Sequence, residues 1–403
     1  MSGPVSNRAG LPGGARPDWR WRTWGDRDLG SVPVLVSLVV IALVFQMLNG
    51  AYLSADNLVN LTLQAATNGI LTLAVVLVLM LGQIDLSVGA VSGLAGAVVT
   101  VGLVNEGWPL WVAVLLAVAV GAAFGLTYGW LFTRLGVPSF VITLAGLMVG
   151  VGIQAQVLGR TSSLNLPYES TLVQFAQQTF LHPAVSVGLV AAVVLWFGLT
   201  RLVDRRRRLE AELPAPSLGA IAVRAAALAV GLGVPVWYLN TSRGVGGLVA
   251  VFIGLVWVAD IVLRRTRWGR SVRAIGSNVE SARRAGFAVR RVYLSAFTAC
   301  AALAALAGVL SAGRLAAAST STGGAELTLT AIAAAVIGGT SLFGGRGSAW
   351  SAVLGVAVIH VISSGLTLLN ADGSLRSIVT GVVLALAVTV DAVSRRSRGL
   401  PGR

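Results

Sequence analysis

Apolar segments recur along the chain between positions 32 and 393, separated by short polar connections. Each is about 20 residues long, the length that a helix needs to cross roughly 30 Å of hydrocarbon. The pattern therefore predicts an all-α fold, a polytopic membrane helix bundle of about 12 spans and at least ten. The break between the second and third spans and the extent of the tenth are the least clearly marked. The predicted spans are residues 32–51, 60–81, 86–104, 108–133, 139–157, 182–200, 217–238, 245–263, 292–312, 326–343, 348–369 and 375–393.

The composition agrees with a polytopic membrane protein and also indicates its orientation. Of the 403 residues, 56% are hydrophobic and 11% charged, and all 30 basic residues are arginine. With a cytoplasmic N-terminus, 25 of these arginines lie in segments on the cytoplasmic side. This asymmetry follows the positive-inside rule. It predicts that both termini are cytoplasmic, and it attributes the net charge of +15 to membrane topology rather than to nucleic-acid binding.

The same pattern predicts the domain organisation. A cytoplasmic tail covers residues 1–31, a transmembrane domain covers 32–393, and a second cytoplasmic tail covers 394–403. One cytoplasmic loop, 265–291, is rich in arginine. The 49 glycines predict close helix packing, since small residues let membrane helices approach one another.

Several kinds of chemistry are not expected from these residues. The single cysteine, Cys300, lies in an apolar segment, so neither a disulfide nor a thiolate metal site is expected. The two histidines cannot build a metal cluster, and His360 is interpreted as a packing or pairing residue. A Walker A loop requires a lysine, and the chain has none. We expect no catalytic residues, no metal and no cofactor bound by this chain, so any ATP is hydrolysed by a partner.

The loop 265–291 contains a predicted short helix with marked ends. Ser277 and Glu280 have the spacing of a capping box at a helix start. Gly286 stands where a left-handed residue ends such a helix, which places the helix at residues 278–285. Two turns are too few for stability in water. The sequence therefore predicts that a cytoplasmic protein grips this helix.

Helix-in-groove docking would use apolar anchors and leave charges at the rim. The predicted anchors are Val279, Ala282 and Phe287, and the predicted rim is Arg273, Arg283 and Arg284. An amphipathic loop lying against lipid is the alternative interpretation.

Asp85 is a carboxylate within or at the edge of an apolar region, beside Gln83 and Ser87. Intramembrane carboxylates usually face a cavity or a partner. Asp85 is also placed to cap the third span, where a negative charge suits the helix dipole. These two roles are compatible, and the sequence leaves both open.

Polar residues at predicted membrane depth are candidates for a substrate path. Gln154 and Gln156 are two positions apart, so at most one of them is expected to line it. A neutral sugar would need hydroxyl and amide partners, although helix packing explains each residue singly. The candidate path residues are Asn68, Gln83, Asp85, Ser87, Thr143, Gln154, Glu326 and Asn370.

Two glycine-rich segments of the chain resemble each other, GQIDLSVG (82–89) and GGTSLFGG (338–345). Glycine-interrupted segments at matching places of internal repeats point to a transport path. Chance similarity in a glycine-rich chain explains the echo equally well.

Four motifs in order resemble the permease subunits of ATP-binding-cassette sugar importers of the ribose, xylose and galactose type. GQIDLSVGAVSGLAG (82–96) resembles the family's GGIDLSVGS motif, and VPSFVITLAGL (137–147) is similar to its VPPFIVTLG segment. RAIGSNVESARRAGFAVRRV (273–292) resembles the coupling loop, and ELTLTAIAAAVIGGTSLFGGRGS (326–348) resembles its ELDAIAAVVLGGTSL motif. The chain departs from these motifs at Gln83, where the family has glycine, and at residues 328–330, which lack the charge of ELD.

The resemblance implies a homodimer of this chain with cytoplasmic ATPase subunits and an extracytoplasmic sugar-binding protein, in the bacterial cytoplasmic membrane. Extra spans around 182–263 look most like the xylose-type branch, so xylose or a similar sugar is the expected substrate. The implied coupling helix comprises Arg273, Gly276, Ser277, Asn278, Glu280, Ala282, Arg283, Arg284 and Gly286.

Other functions remain alternatives. The same kind of permease serves branched-chain amino acids or nucleosides. An ion-coupled secondary transporter is disfavoured because it would want several intramembrane carboxylates. A membrane enzyme is disfavoured because the loops hold no paired carboxylates or nucleophile constellation.

Overall fold

The structure, a computed structural model, describes residues 32–396, so the predicted tail 1–31 and residues 397–403 lie outside the described residues. Within this range there are twelve helices of 13 residues or more, in the order of the predicted spans. They are α1 (Val32–Leu48), α2 (Ala55–Leu79), α3 (Val88–Val104), α4 (Leu110–Leu135), α5 (Ser139–Leu158), α7 (Pro183–Glu210), α8 (Leu218–Leu239), α9 (Gly247–Arg265), α12 (Val289–Leu315), α13 (Ala325–Ile337), α14 (Trp350–Leu368) and α15 (Gly373–Arg396).

Shorter elements connect these helices. Two of them, α10 (Arg267–Ser277) and α11 (Val279–Arg284), form the arginine-rich loop. Strands β1 (Ser163–Asn165) and β2 (Ala317–Ser319) pair antiparallel, with Leu164 opposite Ala318. Between β1 and α7 the chain forms α6 (Thr171–Val173) and a π-helical turn, Gln174–Gln178.

The predicted helical membrane fold is confirmed. Among the described residues, eight helices are long and apolar enough to cross a membrane, and four further apolar helices are shorter. The tenth predicted span is the clearest difference, since α13 ends at Ile337 instead of position 343. Its 13 residues rise about 20 Å, less than the roughly 30 Å of a hydrocarbon core. The orientation of the termini remains a prediction.

Helix α2 is the centre of the bundle, because 83% of its most apolar window is buried inside the protein. Helix α12 packs against α2, α3 and α4. On α4, Gly121, Gly125 and Gly129 form a stripe that meets α12: a Cβ at any of them would clash with backbone or side-chain atoms of α12. This is the close, small-residue packing that the glycine content predicted. Helices α7 and α8 form a peripheral hairpin, each with only 6% of its window buried.

The bundle has two structurally distinct ends. One carries α10 and α11 together with the connections 80–87 and 338–349, and the other carries the β1–β2 pair. We call them the α10–α11 end and the β end. By the predicted topology the first is cytoplasmic.

Candidate coupling helix and membrane path

The arginine-rich loop folds into two helices that form a knob, residues 267–287. The predicted end of the second helix is present: Gly286 has φ +80°, its N–H donates to Arg283 O at 3.0 Å, and Phe287 N–H donates to Ala282 O at 3.1 Å. This pair of bonds satisfies carbonyls that the helix end leaves open. The short helix therefore has the predicted end, although α11 spans only Val279–Arg284.

The predicted capping box is wrong. The cap of α11 is Asn278, whose Oδ1 accepts from Ser281 N–H at 2.9 Å. Ser277 instead ends the preceding helix, where its hydroxyl donates to Arg273 O at 2.8 Å. The chain turns sharply at Asn278 (φ −161°, ψ 109°) because α10 continues to Ser277, so the start of α11 moves one residue along.

Glu280 lies on the surface of the knob rather than at its cap. Its carboxylate pairs with Arg283 at 3.2 Å and Arg284 at 3.3 Å, and all three side chains are more than half exposed. Exposed pairs of this kind contribute little to stability. The charges are therefore available to a partner at small cost to the fold.

Of the three predicted docking anchors, Ala282 is buried and is not available to a partner, which corrects that part of the prediction, whereas Val279 and Phe287 are partly exposed and border a cleft of about 970 Å³. Ala282 is only 4% exposed, and Val279 and Phe287 pack against the bundle core. Of the predicted rim, Arg283 and Arg284 are exposed and Arg273 is half-buried. The chain's own core thus holds the two-turn helix, and no partner is needed for that. The outward surface is polar.

The end of α10 meets the two echoing segments at a tight contact, which we call the glycine junction (Gly82, Gly276, Gly344 and Gly345). Gly345 N–H donates to Met80 O at 3.0 Å. A Cβ at Gly276 would clash with Met80 O and lie 2.7 Å from Gly345 N. Only glycine therefore fits at this position. The knob is therefore packed directly on the end of α2 and on the connection between α13 and α14.

Asp85 lies in the connection before helix α3, three residues ahead of its first residue, Val88. Its Oδ1 accepts from Ser87 N–H at 2.8 Å and from Ser87 Oγ at 2.6 Å, and the side chain is 3% exposed. Cys300 Sγ lies 3.9 Å from the other carboxylate oxygen. These bonds fix the turn that leads into α3, and both roles that the sequence left open remain predictions.

Two threonines fix the backbone beside Asp85. Thr143 Oγ1 accepts from Leu86 N–H at 3.0 Å, and Thr328 Oγ1 accepts from Gly89 N–H at 3.0 Å. Both hydroxyls are buried and also donate to carbonyls of their own helices. The first motif is thus held between α5 and α13 by hydroxyl groups that cross between helices.

Gln154 is the buried member of the glutamine pair. It is 1% exposed, and its Nε2 donates to Ser319 O at 2.9 Å and to Thr322 O at 2.8 Å. Gln156 is exposed on the outside of the bundle. Only one of the two faces the interior, as their spacing predicted.

The sequence reasoning missed a polar segment next to Gln154. Thr320 and Ser321 are exposed, and the nearby Glu326 is also exposed, its carboxylate accepting from Ser377 Oγ at 3.0 Å. The available signal was the run STSTGG (319–324), a polar stretch within otherwise apolar sequence.

The other candidate path residues lie apart from this group. Asn68 pairs with His360 at 3.0 Å, and His360 Nδ1 lies 3.1 Å from Val356 O, so His360 is a pairing residue as interpreted. Gln83 borders a cleft of about 970 Å³ at the α10–α11 end. Asn370 follows α14 with φ +55°. The structure thus distributes the predicted set over several places rather than one site. Within the described part of the chain, no group of three His, Cys, Asp or Glu side chains could hold a metal ion.

Comparison with known proteins identifies relatives over nearly the whole chain. Residues 57–388 match the family described as branched-chain amino acid transport system / permease component. The xylose transport system permease protein XylH of Escherichia coli strain K12 is 34% identical, covering 92% of this chain and 95% of XylH. XylH of Haemophilus influenzae is 34% identical over 90% of this chain and 96% of its own. The ribose import permease protein RbsC of Escherichia coli strain K12 is 29% identical over 89% and 92%. No solved structure matches the chain.

Proposed function

The chain belongs to the family of transport-system permease components, and from that premise we propose that it carries a monosaccharide, xylose or a similar pentose or hexose, into the bacterial cell. Members of this family are transport components and not enzymes. The chain is a multi-pass protein of the cytoplasmic membrane, a permease subunit that works with an ATPase and a binding protein. Its similarity to two xylose permeases along almost their full lengths supports the choice of sugar.

The chemistry of the polar groups is compatible with a neutral substrate. The polar atoms near the β end are mostly amide, hydroxyl and backbone groups, contributed by Gln154, Thr320, Ser321 and Thr322. A sugar needs such partners for its hydroxyls. An amino acid would require paired opposite charges for its ammonium and carboxylate groups, because buried charges need partners.

The observation that carries the coupling role is the glycine junction. The knob presents an exposed polar surface (Asn278, Glu280, Ser281 and Arg284), and behind it Gly276 lies against Met80 and Gly345. A displacement of the knob must therefore move the end of α2 or the connection 338–349. We propose that the ATPase binds this polar surface and that nucleotide-dependent movement reaches the bundle through the junction. No ATP binds to this chain in this proposal.

We propose a homodimer, and the exposed polar residues around the start of α13 support it. Glu326 lies in the first turn of α13, whose preceding residue Gly324 packs on Gly89 near the start of α3, yet its side chain is exposed in the single chain. A carboxylate facing lipid is costly. We propose that a second copy covers this face and that the substrate path runs between the two copies.

Uptake by the reconstituted complex tests the function. The full transporter, with its ATPase and binding protein in vesicles, is given radiolabelled xylose, ribose or leucine. We expect ATP-dependent accumulation of xylose, weaker accumulation of ribose and none of leucine. Accumulation of leucine alone would establish the amino-acid alternative. Uphill transport by the permease alone in an ion gradient would establish a secondary transporter instead.

A further inference from the structure

Residues 316–324 form a non-helical segment, strand β2 followed by a turn, which lies along α3 inside the bundle and which we call the strap. Ala318 packs in one cluster with Ala97 of α3, while Gly324 lies against Gly89 near the start of that helix. Eight residues of α3 separate Gly89 from Ala97, a rise of about 12 Å along the helix axis. The strap therefore runs about 12 Å along α3, from the level of Ala97 to that of Gly89. Helix α13 begins only at its deep end.

Extended backbone at membrane depth is tolerated only where protein buries it or where it lines an aqueous cavity. The strap meets both conditions on its two sides. Its inner side lies on α3, where a Cβ at Gly93 would clash with Thr322 O and lie 2.8 Å from Gln154 Oε1. On its outer side Thr320 and Ser321 are exposed. The inner side is therefore packed, and the outer side is placed to border water or a polar solute.

Backbone pairing with β1 holds residues 317–319 of the strap, and Thr320 N–H donates to Ser162 O at 2.9 Å. Beyond this pairing, Gln154 supplies the side-chain bonds that reach the strap from α5. Its amide donates to Ser319 O and Thr322 O, which lie at the two ends of one turn of the strap. The next two residues, Gly323 and Gly324, have φ +98° and +90°, a backbone region in which other residues are strained. The strap is thus a short segment that is paired with β1, bonded to α5 by the Gln154 amide and ended by a flexible pair of glycines.

The strap packs tightly against the helices behind it. The crevice between α3, α12 and the strap has a volume of only about 20 Å³, and its lining includes Ser92, Ser311 and Thr322. Such a volume holds roughly one water molecule and is too small for a monosaccharide. The strap must move, or the solute must pass on its exposed side.

We propose that the strap is the extracytoplasmic gate of the permease and that Gln154 is the positioning residue that clamps it against α3. This inference rests on the proposed transport function and assigns part of its path. In the closed gate Gln154 binds both carbonyls. In the open gate these bonds break and the strap swings at Gly323 and Gly324.

Cysteine accessibility tests the gate directly. Ser321→Cys places a thiol on the exposed side of the strap, and the protein's only cysteine, Cys300, is fully buried, so the unsubstituted chain gives the background. The complete transporter is labelled from outside with a membrane-impermeant maleimide. We expect the labelling rate to differ about tenfold between the nucleotide-free and ATP-bound complexes, the ratio that a bias of about 1.4 kcal/mol gives. Equal rates in every nucleotide state would overturn the gate.

The clamp is tested by two substitutions in the Ser321→Cys background. Gln154→Glu preserves the size of the side chain but removes its N–H donors, and Gln154→Met removes all its polarity. Both remove the two bonds from α5, so that Thr322 O loses its Gln154 donor while Ser319 O keeps only its bonds from Thr322 within the turn. We therefore expect labelling of the nucleotide-free complex to rise about tenfold and sugar uptake to fall by a similar factor. Gln156→Met is the matched control on the exposed side of the same helix and should change neither rate.

The outcomes separate this inference from the proposed function. If the wild-type complex accumulates no sugar, the proposed function fails regardless of the strap. If it transports sugar and Gln154→Glu, correctly assembled with its ATPase, labels like wild type, the clamp alone is wrong. A rise of equal size in Gln156→Met would likewise refute it. If the Gln154 variants do not assemble, the comparison between nucleotide states decides on the gate.

Discussion

The glycine junction makes a sharp prediction for the substitution Gly276→Ala. The added Cβ would lie 2.7 Å from Gly345 N and still closer to Met80 O, where ordinary contacts begin at 3.4 Å. Both atoms belong to backbone joined by the Gly345 N–H to Met80 O bond, so neither can yield as a flexible side chain would. Overpacking of this kind costs about 1–3 kcal/mol. The coupling free energy between two sites of a protein is of the same size as this packing cost. If the added Cβ forces the knob away from α2 and Gly345, we therefore expect most of the coupling between them to be lost.

The expected result is a fall in sugar uptake of about ten- to a hundredfold, since each 1.4 kcal/mol is a factor of ten. The assay compares ATP-driven uptake with ATP hydrolysis by the reconstituted complex. Because the exposed surface of the knob is unchanged, the ATPase should still bind and hydrolyse ATP, but hydrolysis should no longer respond to loaded binding protein. Gly254→Ala is the matched control: it is helical, a Cβ there meets nothing within 4 Å, and it should transport like wild type. Wild-type uptake by Gly276→Ala would refute the junction as the route of coupling.

Three further predictions follow from single contacts. Asp85→Ala should remove the two bonds to Ser87 in the turn before α3, lower stability by about 1–3 kcal/mol and reduce uptake without loss of complex assembly. Asp85→Asn, which retains the accepting oxygen, should stay close to wild type in thermal unfolding and uptake. Glu280→Arg should abolish ATPase pull-down by changing the charge of the exposed surface, and Ala282→Pro should do so by removing the Ala282 N–H bond within α11, a loss of about 3 kcal/mol. Asn68→Ala should leave His360 Nε2 without its partner and lower the free energy of unfolding by about 1–3 kcal/mol, with the sugar KM unchanged.

Each of these has a clear contrary outcome. Equal losses of uptake in Asp85→Asn and Asp85→Ala would show that the negative charge of Asp85 matters rather than its hydrogen bonds to Ser87. Asp204→Arg, an exposed carboxylate on α7 away from the knob, controls for charge reversal, and normal pull-down by Glu280→Arg would remove Glu280 from the ATPase contact. A changed KM in Asn68→Ala would place Asn68 in the path after all.

The long spans were predictable because the membrane fixes their length, and any run of about 20 apolar residues satisfies it. The failure at α13 has the same origin. Residues 338–343 are mostly small or apolar, so the pattern continues past the helix end at Ile337. The strap was missed for the converse reason: its run of serine and threonine suggests an external loop, and only the packing of Gly324 on Gly89 places it at depth.

The knob shows why the direction of a helix face cannot be taken from its sequence. An apolar stripe of Val279, Ala282 and Phe287 fits a partner's groove or the protein's own core equally well. In this structure all three side chains contact the protein's own core. The helix end was predictable because a glycine with positive φ is a local signal. The cap was not, because Ser277 and Asn278 both satisfy local preferences and the extent of α10 decides between them.

Helix α13 joins the two regions that the proposed mechanism requires. Its first residue follows the glycine pair of the strap, and its last is followed by the connection that ends at Gly344 and Gly345 in the glycine junction. A 13-residue helix is rigid over its length, so a displacement at the junction is carried along it instead of being absorbed. The glycines at both ends supply the flexibility that the helix lacks. This arrangement is consistent with a short helix in place of a full span. If residues 316–324 were part of a continuous helix, the strap could not move independently of α13. The knob at one end and the strap at the other are thereby connected through a single element, with α3 and Gln154 as the surface against which it moves.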